Sequence, residues 1–234
     1  MFKLMKLEMK KNDFKPYILA AGIISVVTLM FAYFFAAIPL IDPSVREGSP
    51  EVTTLSFKLM MVFILNTAAF TCLSTTMLGK IVMAAYQEKN GYLILSYPIQ
   101  RKKILVSKIW LVILLNTLWT IVSITVVDII FLGTQSWLPF SNEPVTVGLL
   151  VDQIPLIFTA VFLVTSISLL ALAIGWWRNS LPAALFSGLL LVCVPSNLSS
   201  LQNIFLIIVV AAIYTLAAVI AYHLMVNKVK RMEV

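Results

Sequence analysis

An all-α integral membrane protein with six transmembrane helices is the fold class that the sequence predicts, and three observations predict it. Of the 234 residues, 61% are hydrophobic and 12% are charged, about half the charged share of an ordinary soluble domain. The apolar residues stand in long blocks, and about 20 of them carry a helix across roughly 30 Å of hydrocarbon at 1.5 Å per residue. The basic residues fall between those blocks, whereas a nucleic-acid surface gathers them on a water-facing domain. The net charge of +7 therefore points to membrane topology, and nucleic acid is excluded as a partner. The chain reads as a single transmembrane domain over residues 1–234.

The first element is an N-terminal segment, residues 1–16. Met1, Phe2, Met5 and Met9 fall on one side of a helix and Lys3, Lys6 and Lys10 on the other. That pattern predicts an amphipathic helix lying on the inner membrane surface; a solvated basic tail is the alternative. The first apolar block, Tyr17 to Leu40, is about twice as long as a signal-peptide core, so it is expected to be retained as a span. Four more blocks span without difficulty: Phe57 to Leu78, Ile109 to Leu132, Ile154 to Trp176, and Ile204 to Val226. The fifth span of the six, Ala183 to Val194, covers only about 18 Å as a helix. Pro195 follows it, lacking a backbone donor and tending to end a helix. A short or broken fifth span is therefore expected, beginning near Asn179. Pro195 to Ser200 then either re-enters the outer leaflet or forms a tight outer loop.

Charge sets the direction of the spans. With both termini cytoplasmic and six crossings, the inner face receives fifteen of the seventeen basic residues, and only Arg46 and Lys58 lie outside. Five crossings would strand Lys228, Lys230 and Arg231 outside, against the positive-inside rule. Trp110, Trp137, Trp176 and Trp177 stand near span ends, where an interfacial aromatic belt would put them.

The cytoplasmic segment between spans two and three, residues 79–108, is too apolar for a linker. A polar turn at Asn90 and Gly91 leads into the run Tyr92 to Leu95, which stops at Ser96, Tyr97 and Pro98, because a residue before proline is pushed out of helical geometry. A helix of about two turns exposed in water needs a covering surface, either a groove on another protein or the membrane. Arg101, Lys102 and Lys103 follow, as topology anchors or as contacts to inner-leaflet phosphates.

This layout resembles the region between the second and third helices of type-2 ABC transporter permeases. The matching residues are Glu88, Gly91, Tyr92, Leu93, Ile94, Leu95, Ser96, Pro98, Arg101, Lys102, Ile104, Leu105 and Lys108. The motif covers about twenty residues, and the six-span plan extends the likeness over nearly the whole chain. The chain departs from the family in lacking an acidic residue inside the apolar run. The resemblance implies that Tyr92 to Leu95 form a coupling helix docking on a separate ATP-hydrolysing subunit, with Glu88, Gly91, Ser96, Pro98 and Arg101 framing it. It also implies a second permease copy, identical or sister, and ATP with Mg held by the partner ATPase rather than by this chain. The small size is similar to permeases that export bacitracin-like antibiotics, lantibiotics and other amphipathic peptides from the bacterial plasma membrane.

Within the spans, Asp128 is the one carboxylate. It either reaches interfacial water from the last turn of its helix or faces a dimer interface to attract a cationic substrate. Thr67, Thr71, Ser74 and Thr75 form one stripe and Asn116, Thr120 and Ser123 another; such stripes pack helices or line a path. Cys72 and Cys193 read as buried free thiols, and the single His223 as an interfacial residue. No phosphate-binding G-x-x-x-x-G-K-[ST], His-Glu-x-x-His or Gly-x-Ser-x-Gly string occurs, so a non-catalytic permease is expected. The competing readings are a stand-alone enzyme acting on lipid headgroups, which needs clustered acidic, histidine or serine groups, and an ion-coupled transporter, which needs ionisable groups near the midplane.

Overall fold

The computed structural model describes residues 2–41, 54–83, 101–135, 147–199 and 203–231. A short helix, α1 (Phe2–Lys11), precedes six long ones: α2 (Lys15–Ile41), α3 (Leu55–Leu78), α4 (Arg101–Gln135), α5 (Val147–Arg178), α6 (Leu181–Ser199) and α7 (Ile204–Arg231). The six are long and apolar enough to cross a membrane, the architecture of a multi-pass membrane protein. No strand occurs among the described residues.

Side-chain caps set several of the boundaries. Thr54 Oγ1 accepts from the Phe57 N–H at the start of α3, and Asn203 Oδ1 accepts from the Leu206 N–H at the start of α7, satisfying donors that the first helical turn leaves free. Between α5 and α6 the chain reverses in two residues. Asn179 takes a left-handed φ of 49°, which Asn tolerates better than most residues. Its N–H donates to Trp176 O and that of Ser180 to Gly175 O, the paired bonds of a Schellman motif. Ser180 Oγ then accepts from the Ala183 N–H, so one short turn ends α5 and starts α6.

The bundle has two inner helices. α3 packs against α2, α4, α5 and α6, while α5 packs against α3, α4, α6 and α7. About half of the α3 and α5 spans is buried, against under a fifth of α2 and α7. Lipid tails are as apolar as leucine, so helix association there depends on close packing rather than on hydrophobic transfer. Small residues provide it: a Cβ on Gly175 would sit 2.5 Å from Ala184 Cβ, and one on Gly188 would sit 3.2 Å from Thr75 Oγ1. The outer faces are uniformly apolar. Val26, Met30 and Phe34 on α2, and Phe205, Ile213 and Leu216 on α7, are exposed, a surface suited to hydrocarbon and prone to association in water.

One core cluster joins Met83, Leu105, Leu172, Val229 and the flanking Phe14, Tyr17 and Trp176. Lys80, Lys102, Lys103, Lys108, Arg178 and Lys228 belong to this basic end, together with α1. The opposite end is built from Ala36, Leu55, Leu59, Phe131 and Leu132.

The structure corrects the fifth span. α6 runs unbroken from Leu181 to Ser199, about 28 Å at the helical rise, so Pro195 to Ser199 are neither a loop nor a re-entrant stretch. Pro195 leaves the Leu191 carbonyl without its usual i+4 donor, and the Tyr214 hydroxyl of α7 donates to that oxygen at 3.0 Å instead. Ser196, Asn197 and Ser199 donate back to Val192 O, Cys193 O and Pro195 O, hiding the polarity that reads as a loop. α1 packs on α4 through Glu8; Leu4, Met5 and Glu8 are half-buried, while Lys6, Leu7, Met9 and Lys10 are exposed.

Candidate functional site

Residues 84–100 lie outside the described residues, and with them the expected docking residues Glu88, Gly91, Tyr92, Leu93, Ile94, Leu95, Ser96 and Pro98. What the structure describes is the pair of stems from which that segment leaves and returns. α3 does not stop at Leu78 but widens into a π-helical turn, Gly79–Met83, a distortion frequent at functional sites. Gly79 allows it to lie against α6, since a Cβ there would stand 2.9 Å from Leu181 Cδ1. The return stem is α4, which opens at Arg101.

Lys108, two turns into α4, ties the stems together. Its side chain is 5% exposed, and its Nζ donates to Ile81 O of the π-turn at 3.3 Å. The same Nζ lies 3.2 Å from Glu8 Oε2 of α1, and Asn12 Nδ2 donates to that carboxylate oxygen at 3.2 Å. One buried ammonium thus holds α1, the end of α3 and the start of α4 at a single point, with its charge balanced by Glu8. Sequence reasoning put Lys108 among the motif residues and left Glu8 unassigned. The available signal was that Glu8 is the lone acid within residues 1–12, a basic stretch.

A second feature is a buried polar column along α3 and α4. Asn66 Nδ2 donates to Ser123 Oγ at 2.8 Å, and Ser25 Oγ of α2 reaches the same oxygen at 2.8 Å, linking three helices at one level. Asn66 faces Ser123, and Ile81 faces Lys108, an equal step along both helices, so the two remain in antiparallel register between those levels. Thr67, Thr71, Ser74 and Thr75 are all buried. Thr71 donates to Thr67 O within its own helix and Thr75 lies against Gly188, while the hydroxyls of Thr67, Ser74 and Thr75 have no hydrogen-bond partner among the described residues. Asn66 and Ser25 were missed from sequence, although an amide inside an apolar block is itself a signal.

The translocation candidates Asn116, Thr120 and Asp128 all lie on α4. Asn116 and Thr120 lie one turn apart and buried, and the Thr120 hydroxyl donates to Asn116 O at 2.8 Å. Asp128 is a further eight positions along α4, about 12 Å at the helical rise. It does not lie in the last turn of its helix, which continues to Gln135. Its side chain is buried, 6% exposed, and neither carboxylate oxygen has a hydrogen-bond partner among the described residues. Both ends of the Asn116 amide are likewise unpartnered there. Lys58, which the charge count puts on the outer side, is completely buried in the first turns of α3. Cys193 is exposed and Cys72 half-buried, so the thiols are not both in the core. Among the described residues no three His, Cys, Asp or Glu side chains are placed to hold a metal ion.

No family model matches the chain. It is similar to the uncharacterized protein YcbO of Bacillus subtilis (strain 168), with 24% identity over 196 residues and 84% of each chain covered. No solved structure matches it.

Proposed function

We propose that this chain is the permease subunit of an ATP-driven ABC exporter in a bacterial plasma membrane, with both termini cytoplasmic. It pairs with a second permease copy and moves an amphipathic substrate of peptide or antibiotic character. The observation that carries the reading is the apolar run Tyr92 to Leu95, set off by Gly91 and Pro98, between two stems that converge on Lys108. A run this apolar, placed by the charge count on the basic side of the membrane, requires a partner surface, and an ATPase subunit would provide one. ATP-driven displacement of that segment would act on the end of α3, the start of α4 and α1 together, because one side chain joins them. Transport requires that the ATPase contact differ between two states of the spans, and a rigid joint is what passes such a difference on.

The test is purification of the affinity-tagged full chain from its native membranes, with mass spectrometry of what accompanies it. An ATP-binding subunit is expected with the parent chain and absent with Leu93→Asp/Leu95→Asp, while the helical content of the variant is unchanged. Equal recovery of the ATPase with both chains would refute the docking assignment. A second reading, ion-coupled transport, is favoured by one observation, the burial of Asp128 without a hydrogen-bond partner among the described residues. Absence of any ATPase together with substrate movement lost in Asp128→Asn would select it.

A further inference from the structure

We propose that the groove between α5 and α7 at the basic end binds an anionic phospholipid, with an acyl chain along its walls and the phosphate at Lys228. The inference requires only that the chain spans a bilayer and does not depend on the transport reading. The cavity measures about 380 Å³, within the range of about 300–1,000 Å³ that small-ligand pockets occupy. Its walls are hydrocarbon: Leu170, Ala173, Ile174, Trp177 and Leu224 line it, and Lys228 is the one charged residue among the described residues that line it. Such a lining offers a ligand a long apolar body to bury and a single ionic contact to make at one end.

The chemistry at that end selects the sign of the headgroup. Lys228 and Arg178 both stand exposed near the ends of their helices, and neither has an ion pair among the described residues. Trp177 is 82% exposed, placed beside them as an amphipathic ring is at the headgroup level of a bilayer. A lysine stem can lie along apolar surface while its ammonium reaches the phosphate layer. A zwitterionic lipid fills the same walls but brings its own cation next to Lys228, whereas an anionic one does not. A symmetric second copy seated on this groove would bring a second Lys228 and Arg178 to the same face, doubling its positive charge with no acid among the described lining residues to relieve it. Charge complementarity thus favours the lipid over the copy.

The full chain, reconstituted into phosphatidylcholine vesicles containing phosphatidylglycerol, provides the test. Bromine is placed on the acyl chains of one lipid or the other at equal mole fraction, and tryptophan quenching is read, with Trp176→Phe/Trp177→Phe giving the share that arises at the two groove-lining indoles. The groove-specific quenching is expected to show about a fivefold preference for the anionic lipid, the equivalent of about 1 kcal/mol for one basic side chain near an anionic headgroup. Lys228→Gln should reduce that preference at least to half, and Lys228→Gln/Arg178→Gln should abolish it, with helical content unchanged. Equal quenching by the two lipids, or a preference that survives the double substitution, overturns the proposal. So does efficient cross-linking between copies through Leu224→Cys in a Cys72→Ser/Cys193→Ser background, which would assign the groove to a second copy.

Discussion

Tyr214→Phe is a deletion of one oxygen whose consequence can be worked out from the geometry around Pro195. In α6 the Leu191 carbonyl would ordinarily accept from the N–H four residues on, but that residue is Pro195, and the donor is the Tyr214 hydroxyl of α7 at 3.0 Å. Hydrocarbon supplies no substitute donor, and an orphaned backbone group there is costly. Measured side-chain hydrogen bonds between membrane helices average about 0.6 kcal/mol and reach about 1.7. The value here should fall toward the upper figure, about 1.5 kcal/mol, because its acceptor has no intrahelical alternative. The same substitution in a Pro195→Ala background should cost far less, since alanine at that position returns the N–H to α6. The assay is reversible unfolding in mixed micelles by sodium dodecyl sulfate, followed by tryptophan fluorescence, for all four corners of the double-mutant cycle. A cost for Tyr214→Phe that is the same in both backgrounds, or indistinguishable from zero in the parent, would refute the claim that α7 stands in for the proline's missing donor.

Three further substitutions test the packing of the bundle. Lys108→Ala leaves Glu8 without its cation and Ile81 O without its donor; removing one partner of a buried pair costs about 3–5 kcal/mol, and the 14% exposure of Glu8 lowers the expectation to about 2. Hydrogen exchange over residues 2–11 should quicken by about tenfold or more, and unchanged protection would mean that α1 is held by something else. Gly175→Ala and Gly22→Ala should move stability in opposite directions. The first puts a Cβ 2.5 Å from Ala184 Cβ and costs about 1–3 kcal/mol through overpacking; the second meets nothing within 4 Å and gains about 0.5–1 kcal/mol of helix propensity. Unfolding midpoints that shift together would contradict the packing at the α5–α6 hairpin.

The polar column shows where an intramembrane residue is informative and where it is not. Thr71 and Thr120 spend their hydroxyl protons on their own helices, so their presence in a span says little beyond compatibility with close packing. Asn66 is different, because its amide reaches across to Ser123 and fixes the register of α3 against α4. Asp128 and Asn116 differ in degree: every side-chain polar atom of each is buried and unpartnered among the described residues, whereas Asn66 leaves only its Oδ1 so, and an intramembrane carboxylate of that kind marks a functional position by default.

The number of spans and their approximate limits were legible in the residues, as was the crowding of basic side chains at one end. Lipid imposes those features locally: each block must be apolar for about 20 residues, and charge must stay out of it. The break expected at Pro195 shows the opposite case, because the donor that keeps α6 continuous comes from Tyr214 on the next helix, and a carbonyl's partner across a helix interface has no trace in the segment itself. The contact from Lys108 to Glu8 that seats α1 on α4 is a second case, since its two partners come from separate helices. The π-turn at Gly79–Met83 and the complete burial of Lys58 also arise only when the helices pack. Sequence alone thus determined which segments are at home in hydrocarbon, a property each segment has by itself. Tertiary structure decided which polar atoms find one another, because inside a membrane each must be satisfied by whatever protein group lies within about 3 Å.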